Sequence, residues 1–158
     1  MPQNRSRRPE MMRRVIFLDI DGVVAPIRQW DRYGDLDAEC IKVLNEIVAQ
    51  SGAAIVVSST LRHGRTVARL QEMLDAAGFV GVVIDKTPSD LTGASRGDEI
   101  AWWLAKNGVD GFVIIDDHGG MGDLHTHLVM TEPRDGLQPK HVPRALAMLM
   151  RPMDASRR

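Results

Sequence analysis

Two aspartates separated by one residue directly follow a short apolar run near the amino end of the chain. Asp19 and Asp21 come after Val15–Leu18, and Gly22 follows at once. A short run rich in β-branched and aromatic residues is typical of a strand buried on both faces, whose interior cannot hold unpaired charges. We therefore expect both carboxylates where the strand ends, on the same side of the chain. Like charges this close require a cation between them or a proton on one of them, so the pattern indicates a functional site.

Two later apolar runs also end in pairs of polar residues. Ser58 and Ser59 follow one run, and Asp116 and Asp117 follow the other. Carboxylate oxygens suit Mg²⁺, which proteins usually bind through one or two carboxylates together with water and substrate phosphates. A carboxylate beside such a metal can attack phosphorus, while a second carboxylate transfers protons. Hydroxyl groups and a cationic side chain can then hold the phosphoryl oxygens.

The elements that must position these residues alternate along the chain. Strands and helices that alternate in units of about thirty residues indicate a parallel sheet with right-handed crossovers. In such sheets ligands bind beyond the carboxyl ends of the strands, where all three polar pairs are expected. The predicted fold is therefore an α/β, three-layer, Rossmann-like parallel sheet flanked by helices. The predicted strands are 15–18, 53–57, 82–84, 112–115 and 127–130, and the predicted helices are 38–51, 66–77, 98–106 and 142–150.

A single domain is expected at 13–151, between a disordered basic arm at 1–12 and a loose tail at 152–158. The first 14 residues hold five arginines and one glutamate, whereas the whole chain has a net charge of −1. The body of the protein is therefore acidic. The basic arm could contact nucleic acid or remain a solvated tail.

Composition excludes several other classes of protein. The chain has one cysteine, Cys40, which excludes an internal disulfide and a multi-cysteine zinc site. No apolar run approaches the length of a membrane span, and the basic amino end has no apolar segment behind it that would make a secretory signal. We therefore expect a cytoplasmic protein with no membrane partner.

The sequence FLDIDGVV resembles the first motif of the haloacid dehalogenase-like (HAD) phosphohydrolase superfamily. Three further motifs follow in the family's order, so that the resemblance covers about residues 13–130. It implies that Asp19 is the nucleophile and that Asp21 is the general acid and base, whose backbone carbonyl also helps to hold Mg²⁺. Gly22 belongs to the phosphate-binding residues in this assignment. The implied fold is a HAD-like sheet with at most a minimal flap as its cap.

The second motif of the superfamily is a serine or threonine at the end of the second strand. Ser58 or Ser59 can fill this role, and Ser59 is preferred. Small members often contain Ser or Thr, any residue, Trp and then Arg, and Ser59-Thr60-Leu61-Arg62 matches this pattern except at Leu61. Arg62 itself could contact the substrate phosphate or cap nearby carbonyl groups.

The third and fourth motifs complete the implied site. A Lys or Arg ahead of a helix fits Arg96, with Lys86 as the alternative. The acidic pair Asp116 and Asp117 would join Asp19 and Asp21 as Mg²⁺ ligands. The resemblance thus implies a phosphomonoester hydrolase that works through an aspartyl-phosphate intermediate.

Only the size of the cap and the details of the motifs indicate what the substrate is. The gaps at 22–36 and 85–96 leave room for no more than a flap, and minimal caps in the superfamily accompany bulky substrates or oligomers in which a neighbour closes the site. The motifs are similar to those of the HAD domains of nucleic-acid repair proteins and of 5′-nucleotidases. A nucleotide or nucleic-acid terminal phosphate is thus expected, and Trp30 and Tyr33 could either stack on a base or close the flap. The alternatives are a phosphatase of a small non-nucleotide metabolite and a non-catalytic module that binds a phosphorylated ligand.

Overall fold

The computed structural model describes residues 13–28 and 35–151. Within them lies a five-stranded parallel sheet of order β3-β2-β1-β4-β5, flanked by helices on both faces. The expected three-layer α/β fold is therefore confirmed. The strands are β1 Arg14–Leu18, β2 Ala54–Val57, β3 Val83–Lys86, β4 Gly111–Asp116 and β5 Leu128–Met130, and the helices are α1 Ala38–Ser51, α2 Val67–Ala76, α3 Arg96–Lys106 and α4 Val142–Met150.

β1 is the central strand and lies at the point where the direction of winding changes. The chain passes from β1 through α1 to β2 on one side, and later through α3 to β4 on the other. Leu18 is therefore in register with Val57 of β2 and with Ile115 of β4. The carboxyl ends of β1 and β4 border the crevice where open α/β sheets place their ligands.

Alternate residues of the strands supply two separate cores. Leu18 and Val57 face the helices α1, α2 and α4, whereas Phe17 faces α3. On the α3 side, the Phe17 ring makes edge-on contacts with Trp103 and Phe112, with ring centroids 5.4 and 5.8 Å apart. Apolar packing on both faces of the sheet thus fixes where the ends of β1 and β4 lie.

The helix limits follow the sequence signals, with one correction that concerns the site. α1 ends at Ser51 as predicted, and Gly52 caps it with a left-handed φ of 71°. The limits predicted on either side of the next loop, a strand ending at 84 and a helix starting at 98, are both wrong, because β3 continues through Lys86 and α3 begins at Arg96. Ser95 is the N-cap of α3: it forms a reciprocal capping box with Asp98, which the sequence had suggested as the helix start.

The residues of the basic arm, those of the carboxyl tail, and Trp30 and Tyr33 in the flap lie outside the described part of the chain. Predictions about these residues therefore stay predictions. Among the described helices, none is long and apolar enough to cross a membrane.

Candidate active site

Asp19 and Asp116 lie side by side at the crevice between β1 and β4. The backbone N–H of Asp19 donates to the carbonyl of Ile115 over 3.0 Å, which ties the end of β1 to β4. Asp19 is only 5% exposed and Asp116 is fully buried. Asp116 Oδ1 accepts a hydrogen bond from the backbone N–H of His118 over 2.9 Å. The sheet therefore holds two carboxylates, distant in sequence, in a place that water barely reaches.

Arg96 brings the first turn of α3 to the same two carboxylates. Its Nη1 lies 3.2 Å from Asp19 Oδ1 and 2.7 Å from Asp116 Oδ2. Lys86, the alternative for this role, instead donates through Nζ to the carbonyls of Arg62 and Arg65, at 3.3 and 2.6 Å. The structure thus brings Arg96, and not Lys86, into contact with the acidic residues at the strand ends.

The Asp19 carboxyl is in an environment with an excess of negative charge. Burial, together with the neighbouring carboxylates Asp116 and Asp117, raises its pKa to about 8, although Arg96 acts in the opposite direction. One guanidinium group therefore does not neutralise the acidic groups gathered around it. A divalent cation would offset the remaining charge.

Asp117 lies against the backbone of the turn that follows β1. Gly22 has a left-handed φ of 83°, and a side chain at this position would overlap the Asp117 carboxylate. The carbonyl of Gly22 accepts a hydrogen bond of 2.6 Å from the hydroxyl of Thr131, whose backbone N–H donates to the Asp116 carbonyl over 3.0 Å. Thr131 thus connects the turn after β1 to the end of β4. Sequence reasoning missed it, because a threonine after a short edge strand carries no signal of its own.

The oxygen atoms gathered here fit a hard metal ion such as Mg²⁺. Asp116, Asp117 and His118 each offer one ligand atom, and these atoms lie within 4.8 Å of one another. The carboxylate oxygen Oδ1 of Asp21, in the turn after β1, is also buried and has no hydrogen-bond partner among the described residues. An orphaned buried carboxylate oxygen is costly unless a cation or a proton donor reaches it. Carboxylates predominate in this donor set, as Mg²⁺ prefers.

The two serines after β2 have different surroundings. Because Leu18 pairs with Val57, Asp19 and Ser58 follow their strands at the same level of the sheet. The Ser58 hydroxyl is buried and has no partner among the described residues. The Ser59 hydroxyl instead caps the short 3₁₀ segment Thr60–Arg62, accepting the N–H of Leu61 over 3.2 Å. Among the described residues the Ser58 hydroxyl thus makes no bond, whereas the Ser59 hydroxyl accepts one and keeps its own O–H as a donor.

Arg62 is 2% exposed, and its guanidinium group is fully occupied within the protein. Its five N–H donors match five hydrogen bonds, four to backbone carbonyls and one of 2.7 Å to Glu99. This geometry favours the capping of local carbonyls over direct contact with a substrate.

The parallel sheet, with acidic residues where β1 and β4 end, is the architecture of a HAD-like protein. The chain belongs to the family described as the HAD domain in Swiss Army Knife RNA repair proteins, whose family model matches residues 15–142. The expected resemblance to HAD domains of nucleic-acid repair proteins is thereby confirmed. A search of curated proteins finds no match to the chain.

Proposed function

We propose that the protein is a Mg²⁺-dependent phosphomonoester hydrolase that removes a terminal phosphate from a nucleotide or a nucleic acid. The observation that carries this proposal is the contact of Arg96 with both Asp19 and Asp116 at the crevice between β1 and β4. A phosphoryl group entering this crevice would meet a nucleophile, a cation and an acidic metal-binding pair within one small volume.

The reaction divides into two displacements at phosphorus. Asp19 attacks the phosphorus atom, the bond to the leaving oxygen breaks, and Asp21 gives that oxygen its proton. Asp21 then takes a proton from a water molecule, whose oxygen attacks the phosphorus of the aspartyl-phosphate and breaks the bond between phosphorus and the Asp19 oxygen. Inorganic phosphate leaves and both carboxylates return to their starting states. The resemblance assigns these roles, and the position of Asp19 beside Arg96 supports them.

Arg96 and Ser58 hold the phosphoryl oxygens in this scheme. Arg96 is the first residue of α3, so the positive end of the helix dipole adds to its charge. The buried Ser58 hydroxyl can donate to an oxygen on the β2 side. These donors are in place before the substrate arrives, which is how preorganised sites stabilise developing charge at low cost.

The carboxylates of Asp19, Asp116 and Asp117, with the backbone carbonyl of Asp21, would hold the magnesium ion. When bound, Mg²⁺ neutralises charge on the phosphoryl oxygens and on the attacking carboxylate. The raised pKa of Asp19 supports this assignment, since burial and the two other carboxylates disfavour its charged form until a cation is added.

The proposed substrate class rests on the family and on the short connection between β3 and α3. The family is described by its occurrence in RNA repair proteins. Only eight residues separate the last residue of β3 from the N-cap of α3, which is too few for a cap domain over the crevice. A site without a cap domain at this position can admit the end of a strand, and a phosphorylated RNA end is therefore the first substrate to test.

Replacing the nucleophile gives the direct test. We expect Asp19→Asn to lower Mg²⁺-dependent phosphate release by at least about a thousandfold, because the amide cannot form the acyl-phosphate bond. The assay should cover an aryl phosphate, nucleotides, sugar phosphates and RNA oligonucleotides phosphorylated at either end. Asp75→Asn is the matched control, since Asp75 is exposed on α2 and its side chain bonds only Gln71 among the described residues.

Two outcomes would contradict the proposal. Full activity in Asp19→Asn would exclude the covalent mechanism. Binding of phosphorylated ligands by the native protein without turnover of any compound would indicate a non-catalytic module. A preference for sugar phosphates over nucleotides and RNA ends would leave the chemistry intact and replace the substrate class.

A further inference from the structure

The buried guanidinium of Arg62 joins three parts of the fold that border the crevice. It donates to the carbonyls of Ser58 and Ser59 after β2, at 3.3 and 2.8 Å, and to those of Thr87 and Pro88 after β3, both at 3.0 Å. Its remaining donor meets Glu99 of α3. One side chain thus fixes the segments that follow two strands and the helix that carries Arg96.

The contact with Glu99 acts on the orientation of α3. Glu99 lies three residues after Arg96, so both side chains project from the same side of the helix. The ion pair between Arg62 and Glu99 is 2.7 Å long, and both side chains are largely buried. Arg96 itself contacts Asp19 and Asp116, so the ion pair ties Arg62 to the helix that carries the proposed phosphate-binding arginine.

The two carbonyls after β2 determine where the adjoining N–H groups point. Every described peptide bond is trans, and in a trans peptide the N–H points opposite to the C=O. Because the carbonyls of Ser58 and Ser59 both face Arg62, the N–H groups of Ser59 and Thr60 face away from it. Neither N–H donates a hydrogen bond to any described residue.

We infer that Arg62 is a positioning residue that aligns and polarises the peptide groups Ser58–Ser59 and Ser59–Thr60. Their free N–H groups, together with the Ser58 hydroxyl, bind the oxygens of a phosphoryl group held beside Asp19. This inference rests on the proposed phosphatase function, and it assigns no direct contact between Arg62 and the substrate. A cation bound to the carbonyl oxygen of a peptide makes the N–H at its other end a stronger donor.

Lysine cannot replace arginine in this role. The planar guanidinium offers five donors that point in fixed directions, whereas an ammonium group offers three donors from a single atom. In Arg62→Lys the positive charge stays, but one nitrogen cannot reach the carbonyls after both strands and Glu99 as well. Arg62→Lys therefore removes the alignment of the peptide groups while it keeps the positive charge at this position.

Nuclear magnetic resonance of the amide groups tests the inference without relying on turnover. In the native 17.5 kDa protein, adding inorganic phosphate with Mg²⁺ should move the amide proton signals of Ser59 and Thr60 downfield. In Arg62→Lys these shifts should largely disappear, and kcat/KM for phosphate release should fall by about tenfold to a hundredfold. Arg69→Lys is the matched control, because Arg69 is an exposed arginine on α2 whose charged group pairs only with Glu72 among the described residues.

The outcomes separate this inference from the proposed function. If the amide signals of Ser59 and Thr60 in the native protein do not shift when phosphate is added, the inference is overturned, even if Arg62→Lys fails to fold. A folded Arg62→Lys protein with native kcat/KM and native shifts would overturn it as well. The native protein could show no hydrolytic activity and still show phosphate-induced shifts that are lost in Arg62→Lys. This result would support the inference for phosphate binding and contradict the proposed catalysis.

Discussion

At the scale of single residues, Gly22 shows how closely backbone and carboxylate pack at the crevice. It combines a φ of 83° with a contact to Asp117 that leaves no room for a methyl group. Gly52, the residue after α1, has a similar φ of 71° and no atom within 4 Å of the place a side chain would take. The two glycines therefore differ in their surroundings and not in their backbone requirement.

We expect Gly22→Ala to cost more stability than Gly52→Ala. Both substitutions carry the penalty of about 1 kcal/mol for a left-handed alanine. Gly22→Ala must in addition displace Asp117, so we also expect phosphate release to fall by at least about tenfold. Urea unfolding and the phosphatase assay on both variants measure these effects.

Equal losses of stability in the two glycine variants, with activity kept in both, would show that Asp117 moves away freely. Its position would then be unimportant for metal binding. Loss of activity in Gly22→Ala alone is the outcome that the contact with Asp117 predicts.

The acids of the site could be predicted from the sequence because charge cannot stay inside a buried strand. Asp19 and Asp116 had to lie where β1 and β4 end. Thr131 and the five bonds of Arg62 could not be predicted, since they depend on which carbonyl groups the folded chain leaves nearby. The same limit applies to the choice between Ser58 and Ser59, because two adjacent hydroxyls differ only in the partners that the fold gives them.

At the scale of elements, the start of α3 connects helix capping to the chemistry. The Ser95 hydroxyl accepts the N–H of Asp98 over 3.1 Å, and the Asp98 carboxylate accepts the N–H of Ser95 at the same distance. Arg96 is the first helical residue, directly after this cap. A loosened cap would therefore release the residue that holds Asp19 and Asp116 together.

α2 has a similar cap without a residue of the site, since the Thr66 hydroxyl accepts the N–H of Arg69 over 3.1 Å.

We expect Ser95→Ala and Thr66→Ala to lose similar stability, about 1 kcal/mol each, because each removes one N-cap side chain. Only Ser95→Ala should also raise KM, since its first turn carries Arg96. Urea unfolding and steady-state kinetics with the best substrate check both statements. An equal change of KM in the two variants would contradict the special role of the cap on α3.

At the scale of the whole molecule, the sheet brings acidic groups together at the carboxyl ends of its strands. Without a metal, the charged forms of these groups are poorly stabilised. The fold class could be predicted from the alternation of strand and helix patterns, since this alternation is typical of a parallel sheet with helical crossovers. The charge balance at the crevice could not be predicted, because it depends on Arg96, Asp116 and Asp117 lying close to Asp19 in the folded protein. Stability should therefore depend on pH and on magnesium together.

In the protein without metal, the free energy of unfolding should decrease as pH rises from about 4 towards 8. The pKa of Asp19 is raised from 3.8 to about 8 by burial and by its neighbours, so the folded state holds a proton that the unfolded state has released. This contribution is complete at low pH and is lost as pH passes through the folded-state value. Urea unfolding at several pH values, with a chelator and with excess Mg²⁺, measures the dependence.

Asp19→Asn supplies the comparison, because it removes the titrating group and keeps the size of the side chain. Its pH dependence without metal should be shallower than that of the native protein. Excess Mg²⁺ should stabilise the native protein by an amount that grows with ion concentration. Identical slopes in both proteins would mean that Asp19 ionises normally.

The central position of β1 also has a consequence for the order in which the protein is made. Arg14 pairs with Gly111, and Leu18 pairs with Ile115. One side of β1 therefore stays unpaired until residues almost a hundred positions later have been synthesised. Until those residues leave the ribosome, β1 has an open edge and Phe17 lacks its aromatic partners Trp103 and Phe112. Pairings this distant form slowly, and unpaired edges favour association between chains. The nascent chain is thus most vulnerable to aggregation just before β4 emerges, and a chaperone would help most during that interval.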